Sequence, residues 1–337
     1  MGPAPGYEAA IGSAAVFDRS RRGKIAVAGN DRLTYLHAML TNDIASLAAG
    51  TGCYATYLTQ QGRMIADMRV LEVGDMTLLD LHEDVAAVVL QKLDQFVFSE
   101  DVRLGDLGET FAKLCVAGPA AAQVVATVIG PASGLFEADL AAWPEFRNAR
   151  ASVASQVVLV AATREPGLRG FDLYIERPHA ELLHAALVNA GAGVGDDATF
   201  EVLRIEGGRP AFGVDMEADT IPLEAGIEDR AISFTKGCYP GQEVVIRVVH
   251  RGGGRIARRI AGVRVSGEAV PVRGDIVRSG EREAGRVTSA AWSPRANGVI
   301  ALAMLHRDFQ APGTALTIDH DGEQLAGAIA ALPFVAE

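Results

Sequence analysis

Helical patterning stops at about Arg259, and from there the chain reads only as strand and turn. Residues 259–337 are rich in valine and glycine and carry turn pairs such as "RGD" and "PG". This is the pattern of a small all-β domain of barrel type. Before the break, strands and helices are mixed, so no single secondary-structure class covers the chain. At 337 residues it also exceeds what one core can organise, and two or three domains are expected.

The spacing of Leu33, Leu36, Met39 and Leu40 predicts a helix, with Asp31 as its N-cap. "CYATYLT", "MIADMRVLEV" and "MTLLDL" alternate as strands, with turns at "QQGR" and "VGD". "EDVAAVVLQKLDQFV" is helical, with acids in its first turn to suit the helix dipole. The theme then repeats: a strand at "AKLCVAG", a proline-opened helix at "PAAAQVVATVI", strands at "SQVVLVAATR" and "GFDLYIE", and a helix at "PHAELLHAALVNAG". "TFEVLRIEGGRP" begins a further helix that stops at paired glycines. Without a regular βαβ alternation, the fold class is α+β rather than a doubly wound sheet.

Lysines and arginines number 31 against 42 acids, a net charge of -11, so the surface as a whole repels nucleic acid and anionic membranes. "MGPAPGYEAAIG" has no basic segment followed by an apolar one, and no apolar run is long enough to span a bilayer. Cys53, Cys115 and Cys238 are far apart with no CxxC pair, which fits a reducing cytoplasm. A cytoplasmic protein with no membrane partner is therefore expected.

Several motifs fail on spacing. "RGGGRIA" lacks both the Walker and the Rossmann glycine pattern, and there is no GxSxG elbow. His179 and His184 are five apart, which does not put them on one helical face for a metal, so no permanently bound metal is expected. Lys236, Arg247, Arg251, Arg255, Arg258, Arg259 and Arg264 concentrate positive charge in an acidic chain. That run reads either as a solvated face or as an electropositive rim for an anionic ligand. No aromatic residue is interleaved with Arg247–Arg264, so there is no stacking platform and direct nucleic-acid binding is not expected.

Cys238 lies in "KGCYPGQE". Pro240 and Gly241 could open a helix, which would put the thiol just before a helix N-terminus and two residues from Lys236. Both features favour a thiolate. The alternative, a small hydrophobe packed in a turn, is equally open on these residues alone.

"ISFTKGCYPGQE" resembles the signature K-G-C-[YF]-x-G-Q-E of the YgfZ-type folate-binding proteins, a group that includes a mitochondrial iron–sulfur cluster assembly factor. The resemblance extends in order along most of the chain. "VAGNDRLTYLHAMLTNDIASLAAGTGCYATYLTQQGRMIADMRV", "VAGPAAAQVV", "LRIEGGRPAFGVDM" with "IPLEAGI", and "GRVTSAAWSPRANGVIALAML" are similar to segments of the glycine-cleavage T protein. It implies two intertwined α+β subdomains plus a C-terminal six-stranded β-barrel, forming a cloverleaf around a tetrahydrofolate channel. The first subdomain would span 1–110 with parts of 200–255, the second 111–258, and the barrel 259–337.

Site residues follow by the same resemblance. The T-protein pair of aspartates is Ala66-Asp67 here, so Asp67 is the remaining candidate for the transfer chemistry or a pterin contact. Glu206 matches the glutamate that holds the pterin, Glu224 matches the "P.E" position, and Tyr57 lies on the strand facing the channel. Arg247 is a candidate to steer a polyglutamylated folate, and "EPGLRG" replaces the tyrosine-bearing "GYTGE" loop. The first implied function is a tetrahydrofolate-binding accessory factor for iron–sulfur assembly or repair, with Cys238 as functional thiol, Lys236 tuning it, and iron–sulfur client or assembly proteins as partners. Its clients would include enzymes that thiolate tRNA. The alternative is a folate-dependent aminomethyltransferase or demethylase of the T-protein type.

Overall fold

The computed structural model describes residues 6–251 and 256–336; the glycine-rich stretch 252–255, including Arg255, and the Arg251 side chain lie outside what is described. Three sheets organise the chain. A five-stranded antiparallel sheet runs in the order Thr51–Leu58, Met64–Glu72, Met76–Leu81, Gly23–Ala28, Arg103–Asp106. A six-stranded sheet runs Gly193–Val194, Ala15–Asp18, Phe111–Ala117, Gly170–Glu176, Gln156–Thr163, Asn148–Val153. The early strand Ala15–Asp18 thus pairs with Phe111–Ala117 and not with the sheet that follows it in sequence. The expected barrel is present and closed: Arg258–Val265, Gly298–His306, Arg282–Ser293, Ile276–Ser279, Ala315–His320 and Glu323–Ala330. Closure leaves no exposed sheet edge, and the interior is filled by Val263, Val277, Val287, Ala301, Leu305 and Ile318.

Helices cover the outer face of each open sheet. Ala121–Ile129 buries Val124, Val125 and Ile129 against the six-stranded sheet, and Glu83–Asp94 buries Val89 and Leu93 against the five-stranded one. Helix Asp197–Glu206 lies between sheet and barrel, opened by Asp196, whose Oδ1 accepts from the Thr199 N–H at 2.8 Å. Such a cap contributes about 1 kcal/mol.

The helix predicted behind Asp31 is real but covers only Arg32–Met39, and Asp31 does not cap it through its side chain. Its Oδ2 instead accepts from the Asp101 N–H at 2.8 Å, joining two loops. Among the described residues no helix is long and apolar enough to cross a membrane. Nor does any group of three or more His, Cys, Asp or Glu among them form a metal cluster.

Candidate functional site

Strand alternation places the site. In the hairpin Thr51–Leu58/Met64–Glu72, Tyr54 pairs with Arg69 and Thr56 with Asp67, so Tyr54, Thr56, Asp67 and Arg69 share one face. Tyr57 pairs with Ala66 on the other, and both are buried in the core of the five-stranded sheet. The Tyr54 hydroxyl donates to Asp67 Oδ2. The Arg230 guanidinium lies 5.0 Å over the Tyr54 ring, within cation–π range. Burial and the neighbouring Asp67 raise the Tyr54 phenol well above its usual range, so it stays a donor at neutral pH.

Asp67 thereby faces a chamber of about 100 Å³, whose opposite wall includes Arg204, Arg209, Phe212 and Arg230. Arg209, Pro210 and Arg230 are shared with an open groove of about 380 Å³ lined by Gly167, Gly207, Gly208 and Gly226. Arg209 and Arg230 thus form a neck between the two, with the Asp67 carboxylate in the chamber and bare glycine backbone along the groove.

A buried ionic network forms the back wall. Arg69 Nη2 pairs with Glu165 at 2.9 Å, and Arg22 Nε with Asp80. Lys113 Nζ, fully buried, meets Asp80 at 2.7 Å, Glu165 at 3.0 Å and Asp172 at 3.0 Å. Burial pushes the Asp80 carboxyl up, but Arg22, Lys113 and Arg69 outweigh it and hold it well below the usual range. Glu165 is held low in the same way by Arg69, Lys113 and Arg22. Asp172 goes the other way, because burial outweighs Lys113 there.

"KGCYPGQE" forms a turn leading into the helix Gln242–Ile246 with Gly241 as N-cap, so a helix does open just after Pro240 and Gly241. Cys238 is exposed. Gly241, at φ +81°, packs so closely on Gly62 that an added Cβ would lie 2.9 Å from its Cα. Gly62, at φ +74°, has equally little room beside Val244. The turn bearing Cys238 is therefore clamped to the hairpin that carries Asp67. Lys236 is held by backbone carbonyls, with Cys238 still among its electrostatic neighbours. Its ammonium donates to the carbonyls of Leu40, at 2.6 Å, and His37, closing the C-terminal end of Arg32–Met39. Burial pulls it down to about 8. Cys53 is pushed up to about 12 by burial, which makes it a poor thiolate.

The remaining expected site residues are not brought to the chamber. Tyr57 is turned into the core by strand parity, and Tyr54 takes the place expected of it. Glu206 is fully buried, and its carboxylate accepts from Tyr7 Oη at 2.5 Å, Ser293 Oγ at 2.6 Å and Arg295 Nε at 3.1 Å. It joins helix to barrel and has no face toward the chamber. Glu224 accepts from the Ile221 N–H at 3.1 Å and pairs with Arg258 Nε at 3.0 Å. Arg247 is exposed at the end of its helix. Counting alternation from the "QQGR" turn distinguishes Tyr54 from Tyr57. Arg209 lies on a loop and Arg230 on the one-turn helix Glu228–Ala231, too short to carry a periodic signal.

Two families match the chain: the GCVT N-terminal domain over residues 6–236 and the glycine cleavage T-protein C-terminal barrel domain over residues 258–336. The aminomethyltransferase of Streptomyces avermitilis is 30% identical over 328 residues, covering 95% of this chain and 86% of that protein. The aminomethyltransferase of Geobacillus kaustophilus is 30% identical over 339 residues, covering 97% and 89%. The crystal structure of glycine cleavage system aminomethyltransferase T from Bartonella henselae superposes with a TM-score of 0.85 at 21% identity, covering 98% of this chain and 88% of that one. With both of its parts matched in order and the same fold throughout, the chain belongs to the glycine cleavage T-protein family.

Proposed function

We propose that this protein binds a reduced folate along the channel between Asp67 and the glycine-lined groove and acts there as a folate-dependent one-carbon transferase of the aminomethyl type. Members of the family use tetrahydrofolate, and the residues present fit that group. An aminopyrimidine edge needs a carboxylate acceptor, and Asp67 offers one. One of its oxygens is fixed by Tyr54, and its remaining lone pairs face the chamber. Phe212 offers an apolar wall for a ring, and Arg209 and Arg230 at the neck would meet the glutamate carboxylates. When bound, the folate would supply the ring nitrogen that carries the one-carbon unit. The chain's own contribution is to hold that ring against Asp67 and to keep Asp67 in one rotamer through Tyr54.

The observation that carries this reading is that Asp67 faces the chamber. Position 66 faces the core of the five-stranded sheet, so the alanine there removes no carboxylate from the chamber. The near full-length likeness to aminomethyltransferases supports the same reading.

A second reading, an accessory role of YgfZ type for iron–sulfur enzymes, is favoured by one specific observation: Cys238 stands exposed on a turn clamped to the Asp67 hairpin. The test is a deletion strain complemented with the wild type, Asp67→Ala or Cys238→Ala. Glycine cleavage and iron–sulfur enzyme activities are assayed in parallel, with calorimetry of 5-formyltetrahydrofolate on each protein. We expect Asp67→Ala to weaken folate binding at least tenfold, about 1.4 kcal/mol, and to abolish glycine-dependent transfer, with Cys238→Ala silent. Loss of iron–sulfur activities in Cys238→Ala with Asp67→Ala silent would establish the second reading. No heat of folate binding to the wild type would remove both.

A further inference from the structure

A larger cavity, of about 330 Å³, lies where the two open sheets pack against each other, and it shares no residue with the Asp67 chamber. Its walls are Val73, Met76 and Leu78 from the five-stranded side and Phe111, Leu159 and Tyr174 from the other. The volume is that of a small-molecule pocket, and an apolar wall with few polar groups is the usual lining of one. The polar groups here are specific. Lys24, whose side chain is fully buried, reaches the cavity, and its ammonium donates to Ser20 O at 2.9 Å and Arg22 O at 2.6 Å. An ammonium has three N–H donors, and these two carbonyls account for two of them. Arg150 adds a second cation on the wall, paired with the exposed Asp75 at 2.5 Å. The charges on the cavity wall also include Glu176, which is exposed.

The mouth shows a second, independent feature. The hairpin Asn148–Val153/Gln156–Thr163 turns through Ala154 at φ 48° and Ser155 at φ 68°. Two-residue turns of this kind normally use Asn-Gly, and residues with a Cβ are strained there. Directly after it, Val157 is 61% exposed at the cavity edge. A strained turn that holds an apolar side chain in water beside an apolar cavity has the makings of a ligand mouth.

We propose that this cavity is a second small-molecule site, for an amphipathic carboxylate with a flexible apolar chain of medium length, its head group taken by Lys24 and Arg150. It lies back to back with the folate channel across a single wall. Tyr174 lines the cavity and donates to Asp80 Oδ2 at 2.6 Å, and the other side of Asp80 carries Arg22, which lines the Asp67 chamber.

The test uses the full chain and decanoate, titrated by calorimetry, with decanol as the headless control. Decanoate is expected to bind the wild type and Asp67→Ala equally. Lys24→Met should weaken it at least tenfold, and decanol should bind the wild type no better than decanoate binds that variant. Leu159→Trp, which fills the cavity, should abolish binding. If that variant does not fold, Val157→Trp at the exposed mouth should block entry. No binding to the wild type at about 1 mM, roughly the weakest affinity a specific site shows, overturns the proposal. So does undiminished binding in a folded Trp variant, or a loss in Asp67→Ala.

Discussion

The Glu206 side chain is fully buried, and three donors from distant parts of the chain converge on it. Tyr7 comes from the first helix, Ser293 and Arg295 from the barrel. Burial first, and then the neighbouring carboxylate, raise the Tyr7 phenol, so it remains a donor throughout the physiological range. The neutral isostere has one acceptor oxygen in place of two, so it cannot accept from Tyr7, Ser293 and Arg295 in this geometry. Glu206→Gln is therefore expected to destabilise by about 1–3 kcal/mol, read as a lower urea midpoint at unchanged m. Folate affinity should be retained, because the side chain does not face the chamber; a folate loss without a stability loss would return Glu206 to the ligand. In sequence, a ligand contact at Glu206 is suggested only by the resemblance to the T protein. Only the arrival of Tyr7, 199 residues away, shows that the carboxylate is already satisfied.

The hairpin bearing Asp67 and the turn bearing Cys238 behave as one element because Gly62 and Gly241 stand back to back. Gly241→Ala must adopt a positive φ and push a Cβ into the opposing backbone. The expected loss is about 2 kcal/mol or more, accompanied by faster thiol labelling of Cys238 as the turn lifts. Unchanged thermal stability would show that the two turns are not clamped. Much of this level is legible beforehand. Alternation gives the strands of the hairpin, "RGD" and "PG" mark turns in the barrel, and proline and glycine bound the helices. The face of a strand is harder, since Tyr54 and Tyr57 look alike until the register is fixed by the "QQGR" turn. The guanidinium groups of the neck are illegible for a different reason: Arg209 comes from a loop and Arg230 from a one-turn helix, and only tertiary packing brings them together.

The ionic network of Arg22, Arg69, Asp80, Lys113, Glu165 and Asp172 ties the two open sheets together through charges buried in the middle of the molecule. Asp80 and Glu165 are held below their ordinary range. Their contribution to stability is complete above about pH 4 and is lost as pH falls toward the folded values, at up to ~1.4 kcal/mol per pH unit for each group. Asp172, raised, has the opposite sign, and its slope lies in a different window, above about pH 4, where stability falls as pH rises toward its folded value. The urea midpoint should therefore fall steeply below about pH 4. In Asp80→Asn the acid slope should be shallower, but stability at pH 7 should be lower by about 3–5 kcal/mol, because Arg22 and Lys113 lose a partner. A midpoint independent of pH from 5 to about 2 would mean that the network is not ionised as described. The return of Ala15–Asp18 to Phe111–Ala117, and of Tyr7 to Glu206 and Arg295, has a further consequence in time. On a ribosome adding 5–20 residues per second, Tyr7 emerges roughly 10–40 s before the glutamate that will hold it. The segment from Tyr7 to Asp18 is thus made well before its partners and settles only with them. For that interval it is exposed to chaperones and proteases with its aromatic ring unburied.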